Sequence, residues 1–86
     1  MRKNTQEVYR AWKMGRALHR CRSIWTDGET VYSYSTPILR YKLGAPMMNM
    51  AKYSRTTSNH QNSLTALLAD AYSTSITIVQ DPNELF

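Results

Sequence analysis

The sequence predicts an α+β domain: a small antiparallel sheet of three to five strands with two helices packed on one face, in the order α-β-β-β-(β)-α-β. Three observations carry that prediction. Apolar residues recur at helical spacing near the N-terminus and again in the last third. Between them lie short runs that alternate apolar and polar residues. An Asp-Gly pair, Asp27-Gly28, sits between two of those runs and is a strong hairpin signal. Eighty-six residues suffice for one domain with one core, so residues 1–86 are read as a single unit with a tail over 81–86.

The first helix is expected over residues 4–19. Asn4 can cap it, with Glu7 at capping-box spacing. Val8, Ala11, Trp12, Gly15 and Leu18 fall on one face, and Arg10, Lys13, Arg16 and Arg20 on the other. Gly15, inside the apolar stripe, weakens the helix while allowing close packing against a sheet. The hairpin follows, with strands at 21–26 and 29–34. A two-residue turn would pair Trp25 with Thr30 and Ile24 with Val31, whereas a longer loop would shift the register. Thr36-Pro37 is expected to break or bend the chain. A third strand is expected at 38–43 and a fourth at 47–51. Ser58, with Gln61 at capping-box spacing, is expected to cap a second helix whose buried stripe is Leu64, Leu67, Leu68, Ala71 and Tyr72. Residues 75–80 form the expected last strand, with Leu85 and Phe86 anchoring the tail.

Composition excludes several classes. Hydrophobic residues make up 42% and charged residues 20%, with few Gly and Pro, which argues against a disordered or low-complexity chain. A single cysteine, Cys21, cannot form an internal disulfide, and no apolar run is long enough for a membrane span or a secretory signal. A cytoplasmic protein without a membrane partner is therefore expected. Cys21 and His19 fall short of a zinc ligand set, and neither paired carboxylates nor a Gly-rich phosphate loop is present, so no metal or cofactor is expected. Among enzyme chemistries only acid–base cleavage of RNA by His60 with His19 has any residues to draw on, and two histidines far apart in sequence are a weak basis for it.

The net charge of +5 is unevenly placed. Arg2, Lys3, Arg10, Lys13, Arg16, Arg20 and Arg22 face Glu7 alone in the first quarter, and the rest of the chain is nearly balanced. Cations of one sign along a helix face can track phosphates, although a solvated helix face has the same appearance. The second candidate site is the string Lys52, Tyr53, Ser54, Arg55, Thr56, Thr57, Ser58, Asn59, His60 and Gln61. It is rich in cations and hydroxyls and runs into a helix N-terminus, where free amides and the helix dipole favour an anion. Equally, its Ser and Thr residues can serve as caps. Trp12, Trp25, Tyr32, Tyr34 and Tyr41 can stack on bases but are more readily read as core in a chain with one Phe.

Ser23-Ile24-Trp25-Thr26-Asp27-Gly28, Val31-Tyr32-Ser33-Tyr34, Thr36-Pro37-Ile38 and the string from Lys52 to Gln61 together resemble a family of small uncharacterised proteins of phages, archaeal viruses and mobile elements. The resemblance covers a little under half of the chain, and the Lys-Tyr-Ser, Thr-Thr-Ser and His-Gln elements are its specific part. It implies a genomic neighbourhood and no mechanism, and it draws attention to Lys52–Gln61. The α-β-β-β-α order is also that of double-stranded-RNA-binding domains, but the lysine cluster those domains carry at the last helix is missing here. The expected function is that of a small basic nucleic-acid-binding accessory protein without catalysis, using Arg10, Lys13, Arg16 and Arg20 with Lys52, Tyr53, Arg55, Thr56, Thr57, Ser58, His60 and Gln61. The alternative is a virus-encoded inhibitor of a host defence or nucleic-acid-processing protein, docking through the basic helix or through exposed Met47, Met48 and Met50. DNA against RNA and the oligomeric state stay open.

Overall fold

In the computed structural model, which describes residues 3–19, 22–42, 45–72 and 76–85, the chain folds as α1 (Lys3–Lys13), β1 (Trp25–Thr26), β2 (Thr30–Ser33), β3 (Thr36–Lys42), β4 (Ala45–Asn49), α2 (Arg55–Tyr72) and β5 (Thr77–Val79), followed by a 3₁₀ turn (Pro82–Leu85). The α+β class and the element order expected from the sequence are those observed. The five strands lie side by side in chain order. The pairs from β1 to β4 are antiparallel, while β5 runs parallel to β4, so the sheet is mixed. The parallel pair follows from the connection: adjacent parallel strands need a long crossover, and α2 supplies it between β4 and β5.

Val8, Tyr9 and Trp12 of α1 and Leu64 and Leu68 of α2 meet Ile24, Val31, Ile38, Leu39 and Met48 in one core. Each such side chain contributes roughly 1.5–3 kcal/mol when fully buried. The Tyr9 hydroxyl also reaches the Leu67 carbonyl oxygen at 3.5 Å, joining the two helices. Leu85 is fully buried, and its 3₁₀ turn packs on β3, β4 and β5, so the tail is anchored there as expected. Phe86 lies outside the described residues.

The first helix is shorter than its amphipathic pattern predicts, and Gly15 is the reason. Gly15 has φ +71° and takes the left-handed position after the helix. The Arg16 N–H donates to the Ala11 carbonyl (2.8 Å) and the Gly15 N–H to that of Trp12 (3.0 Å), the paired bonds of a Schellman cap. Beyond the cap, Leu18 exchanges two backbone hydrogen bonds with Thr26, an isolated antiparallel bridge to β1.

The hairpin loop is longer than two residues. Trp25 pairs with Tyr32 and Thr26 with Val31, leaving residues 27–30 to turn. Asp27 organises them: its Oδ1 accepts from the Glu29 N–H (2.9 Å) and the Thr30 N–H (2.8 Å), and its Oδ2 from the Tyr32 hydroxyl (3.4 Å). Pro37 lies within β3 rather than breaking it. It pairs with Tyr32 at a bulge, where the ladder needs no donor from it. The bulge also explains why the neighbours Ile38 and Leu39 are both fully buried, against strict alternation. The fourth strand begins two residues earlier than expected and ends at Asn49.

The helix cap and the hairpin turn touch. Gly28 has φ +102°, and a Cβ there would stand 2.9 Å from the Gly15 carbonyl oxygen. Gly28→Ala therefore combines a backbone clash with an unfavourable φ, and a loss of roughly 1–3 kcal/mol is expected in denaturant unfolding. Gly15→Ala meets nothing within 4 Å and bears only the left-handed backbone cost, about 1 kcal/mol.

A second expectation concerns acid. Partial burial raises the Asp27 pKa, but donation from the Thr30 and Glu29 N–H groups and the Tyr32 hydroxyl outweighs it, so the carboxyl lies below its ordinary 3.8. A depressed folded-state pKa gives stability that is present above the unfolded value and lost as pH falls through the folded one. Unfolding measured from about pH 5 to about pH 2 should show that loss, and Asp27→Asn, with no charge to lose, should show a flatter acid limb.

Candidate functional site

The hydroxyl-rich string expected to bind an anion folds inward. Ser54, not Ser58, caps α2: its Oγ accepts from the Thr57 N–H at 3.2 Å, and its carbonyl takes the first helical bond from the Ser58 N–H. The helix therefore starts a turn earlier than expected, and Thr57, His60 and Gln61 become the buried side of its first two turns, each 3% exposed or less.

Their partners come from the sheet. Ser33, at the end of β2, is fully buried, and its Oγ lies 2.9 Å from both Thr57 Oγ1 and His60 Nδ1. The Ser54 hydroxyl donates to Thr57 Oγ1 at 3.2 Å. With the imidazole proton on Nε2, the hydroxyls donate in one direction, Ser54 to Thr57 to Ser33 to His60 Nδ1. Gln61 reaches the end of β4, where its Nε2 donates to the carbonyl oxygens of Asn49 (2.7 Å) and Ala51 (3.0 Å). Asn49 is itself fully buried. Its Nδ2 donates to the Pro37 carbonyl (3.1 Å) and the Tyr53 hydroxyl (2.9 Å), and its Oδ1 accepts from the Ala51 N–H (3.0 Å). Among the described residues no buried side-chain N or O lacks a partner.

Of the string, Lys52, Tyr53 and Arg55 are exposed, and Thr56 and Ser58 are half-buried. The expectation that Thr57, His60 and Gln61 face a ligand is corrected by their burial. Burying unpaired polar groups is costly, so their hydrogen-bonding capacity is spent on the sheet. With the His60 ring enclosed and His19 at the surface, the two imidazoles do not face one solvent-accessible site. The methionine surface is not present either: Met48 is fully buried and Met47 and Met50 are half-buried.

The cations remain outside. Arg10, Lys13 and Arg16 are exposed, while Arg20 and Cys21 lie outside the described residues. Because α1 stops at Lys13, these cations do not continue as one helical stripe. Arg10 and Arg16 instead line a groove of about 260 Å³ with Glu7, Ala11, Met14, Ala17 and Leu18, formed where the capped chain turns back. Lys13 and Arg40 line a second cleft of about 550 Å³ with Trp12, Tyr41, Gly15, Gly28 and Glu29. Its walls are fixed: Trp12 Nε1 donates to the Glu29 carbonyl (2.8 Å), Arg40 Nη1 donates to Thr30 Oγ1 (3.0 Å), and Arg40 Nη2 lies 3.6 Å from Glu29 Oε2. This cleft drew no attention in the sequence, where Arg40 and Tyr41 alternate in an ordinary strand pattern.

The α1 and α2 sites meet β2 at opposite ends. Trp12 binds at Glu29 and the Thr57–His60 side at Ser33, four extended residues apart or about 13 Å. Among the described residues no group of three or more His, Cys, Asp or Glu could hold a metal ion, and no helix is long and apolar enough to cross a membrane.

Fold and site together define a small basic α+β domain with a polar inner seam and cationic grooves at one end. Residues 1–81 match the model of a family of unknown function, and the chain belongs to that family, DUF8033. No curated protein and no solved structure matches it.

The inner seam predicts strong coupling. Ser33→Ala and Thr57→Val should each lower stability by about 1–3 kcal/mol, since each strands a buried partner. The double variant should lose less than the sum, a non-additivity readable by a double-mutant cycle in urea.

Proposed function

We propose that this protein binds nucleic acid without catalysis, through the cationic end of α1 and the segment that returns from it. One observation carries the reading: Arg10, Arg16, Arg22, Lys52 and Arg55 are all exposed, and none of them forms an ion pair within the described structure. A cation held by an internal carboxylate adds little to a phosphate contact, and these are not so held.

Arg10 and Lys13 also lie in the last turn of α1, where positive charge suits the helix dipole. That explains two cations and leaves Arg16 and Arg22, which follow the helix, without an internal role. Arg10 and Arg16 facing one groove suit a phosphate bridged between two guanidinium groups. Lys52 and Arg55 lie at the far end of β2, and they fit outlying contacts on a ligand longer than a few nucleotides.

Fluorescence anisotropy with labelled oligonucleotides at several salt concentrations tests the reading. The logarithm of the affinity should fall linearly with the logarithm of salt, and Arg10→Ala with Arg16→Ala should reduce that slope by about one for each contact removed. Affinity that does not change with salt would refute phosphate contact.

A further inference from the structure

The outer side of the β1–β2 hairpin carries a ladder of rings. The Leu18–Thr26 bridge sets His19 beside Trp25, and their rings stack with centroids 4.7 Å apart and planes 16° apart. Trp25 in turn stacks on its strand partner Tyr32 at 4.2 Å and 13°. The neighbours Thr26 and Val31 point into the core, so the three rings lie on the other face. Trp25 and Tyr32 are half-buried, and His19, the outermost ring, is exposed.

Tyr34 adjoins the ladder. Its carbonyl accepts from Trp25 Nε1 at 2.6 Å, and its N–H donates to the Ser23 carbonyl at 3.2 Å, which places it opposite Ser23 beyond the end of the strand pairing. It holds φ +56°, the only non-glycine residue with positive φ among those described, and the residue is 49% exposed. A bulky residue is disfavoured there, where Gly or Asn would sit without strain. Cross-strand stacking alone accounts for Trp25 and Tyr32 as sheet stabilisers. It does not account for an imidazole closing the stack at an exposed edge, nor for an exposed tyrosine at the first position of the Ser33–Thr36 turn, where Gly or Asn is the usual residue.

We propose that the exposed His19 ring is the open end of a base-stacking platform, with the exposed Tyr34 beside Trp25 as a second aromatic contact, and that the nucleic acid this protein takes is single-stranded. The proposal rests on the phosphate-binding reading above and adds strand selectivity to it. In a duplex the base faces are covered by their neighbours, whereas an unpaired base offers a face that can extend an aromatic stack. Trp25 is covered on both sides, by His19 and by Tyr32, so the outer His19 face is where a base adds, and the exposed Tyr34 offers a second aromatic beside the stack. Arg16 and Arg22 flank His19 in the chain and are exposed, as cations tracking the backbone beside stacked bases would be.

The test compares a short pyrimidine oligonucleotide with the duplex of the same length, at one salt concentration, against the full chain. A preference of about tenfold or more for the single strand is expected, the value of one well-stacked base. The His19 ring protons should shift upfield in NMR spectra on adding the single strand, and not on adding the duplex. Tyr34→Asn should keep or raise the thermal midpoint, since strain is relieved, while losing several-fold of the single-strand preference. Equal affinity for the two forms, or a saturated single-strand complex in which the His19 signals do not move, overturns the platform and leaves phosphate binding standing. Binding to neither form overturns both.

Discussion

Ser33 must face inward, because its hydroxyl is the point at which the sheet and α2 exchange hydrogen bonds with Thr57 and His60. This constraint reaches well beyond the cluster. Strand residues alternate faces, so an inward Ser33 puts Val31 inward and Tyr32 outward. Tyr32 outward brings its partner Trp25 onto the same face, and the ring stack follows. A slip of one residue in β2 would bury Tyr32 against Thr57 and strand the histidine. The inner hydrogen bonds thus set the register that displays the outer rings.

A second constraint acts at the other end of the hairpin. The approach of the Gly15 carbonyl to Gly28 leaves no room for a side chain on the turn, and it holds the end of α1 against the β1–β2 loop. The left-handed Gly15 ends the helix and reverses the chain. Without that reversal Arg10 and Arg16 would sit on a continuing helical stripe, and His19 would project from a helix rather than lie beside Trp25. One backbone conformation therefore produces both the arginine groove and the exposed end of the ring ladder.

These two constraints mark the limit of what could be read from the residues. The class, the element order and the inward Leu64 and Leu68 of α2 follow from periodicity, which local sequence carries directly; of the other residues expected on that stripe, Leu67 is half-buried, and the side chains of Ala71 and Tyr72 lie outside those described. Gly15 satisfied the helical pattern as well as it satisfied a cap, and the choice between them depends on Gly28, thirteen positions away in sequence and unlinked by any pattern. The parallel pairing of β5 was hidden because a three-residue strand has no direction of its own; only the length of the α2 crossover supplies it. The string from Lys52 to Gln61 was legible as special but not as internal. A hydroxyl-rich helix start reads alike whether its partners are a ligand or a sheet, and here the partners, Ser33 and Asn49, are separated from it in the chain.

The distinctive string and the cationic end of α1 therefore do different work. Buried polar side chains at Ser33, Asn49, Thr57, His60 and Gln61 define a single geometry for α2 on the sheet, since any other packing leaves several of them unpaired in a dry interior. An apolar core of the same size would tolerate sliding far better, because dispersion contacts are not directional. A domain of this size has few residues to spare, and it places directional contacts where β2 and β4 receive α2. What that precision secures is visible on the opposite face: three rings stacked in succession, adjacent planes 16° and 13° apart, with the central one on a strand of only two residues that could not hold such alignment unaided.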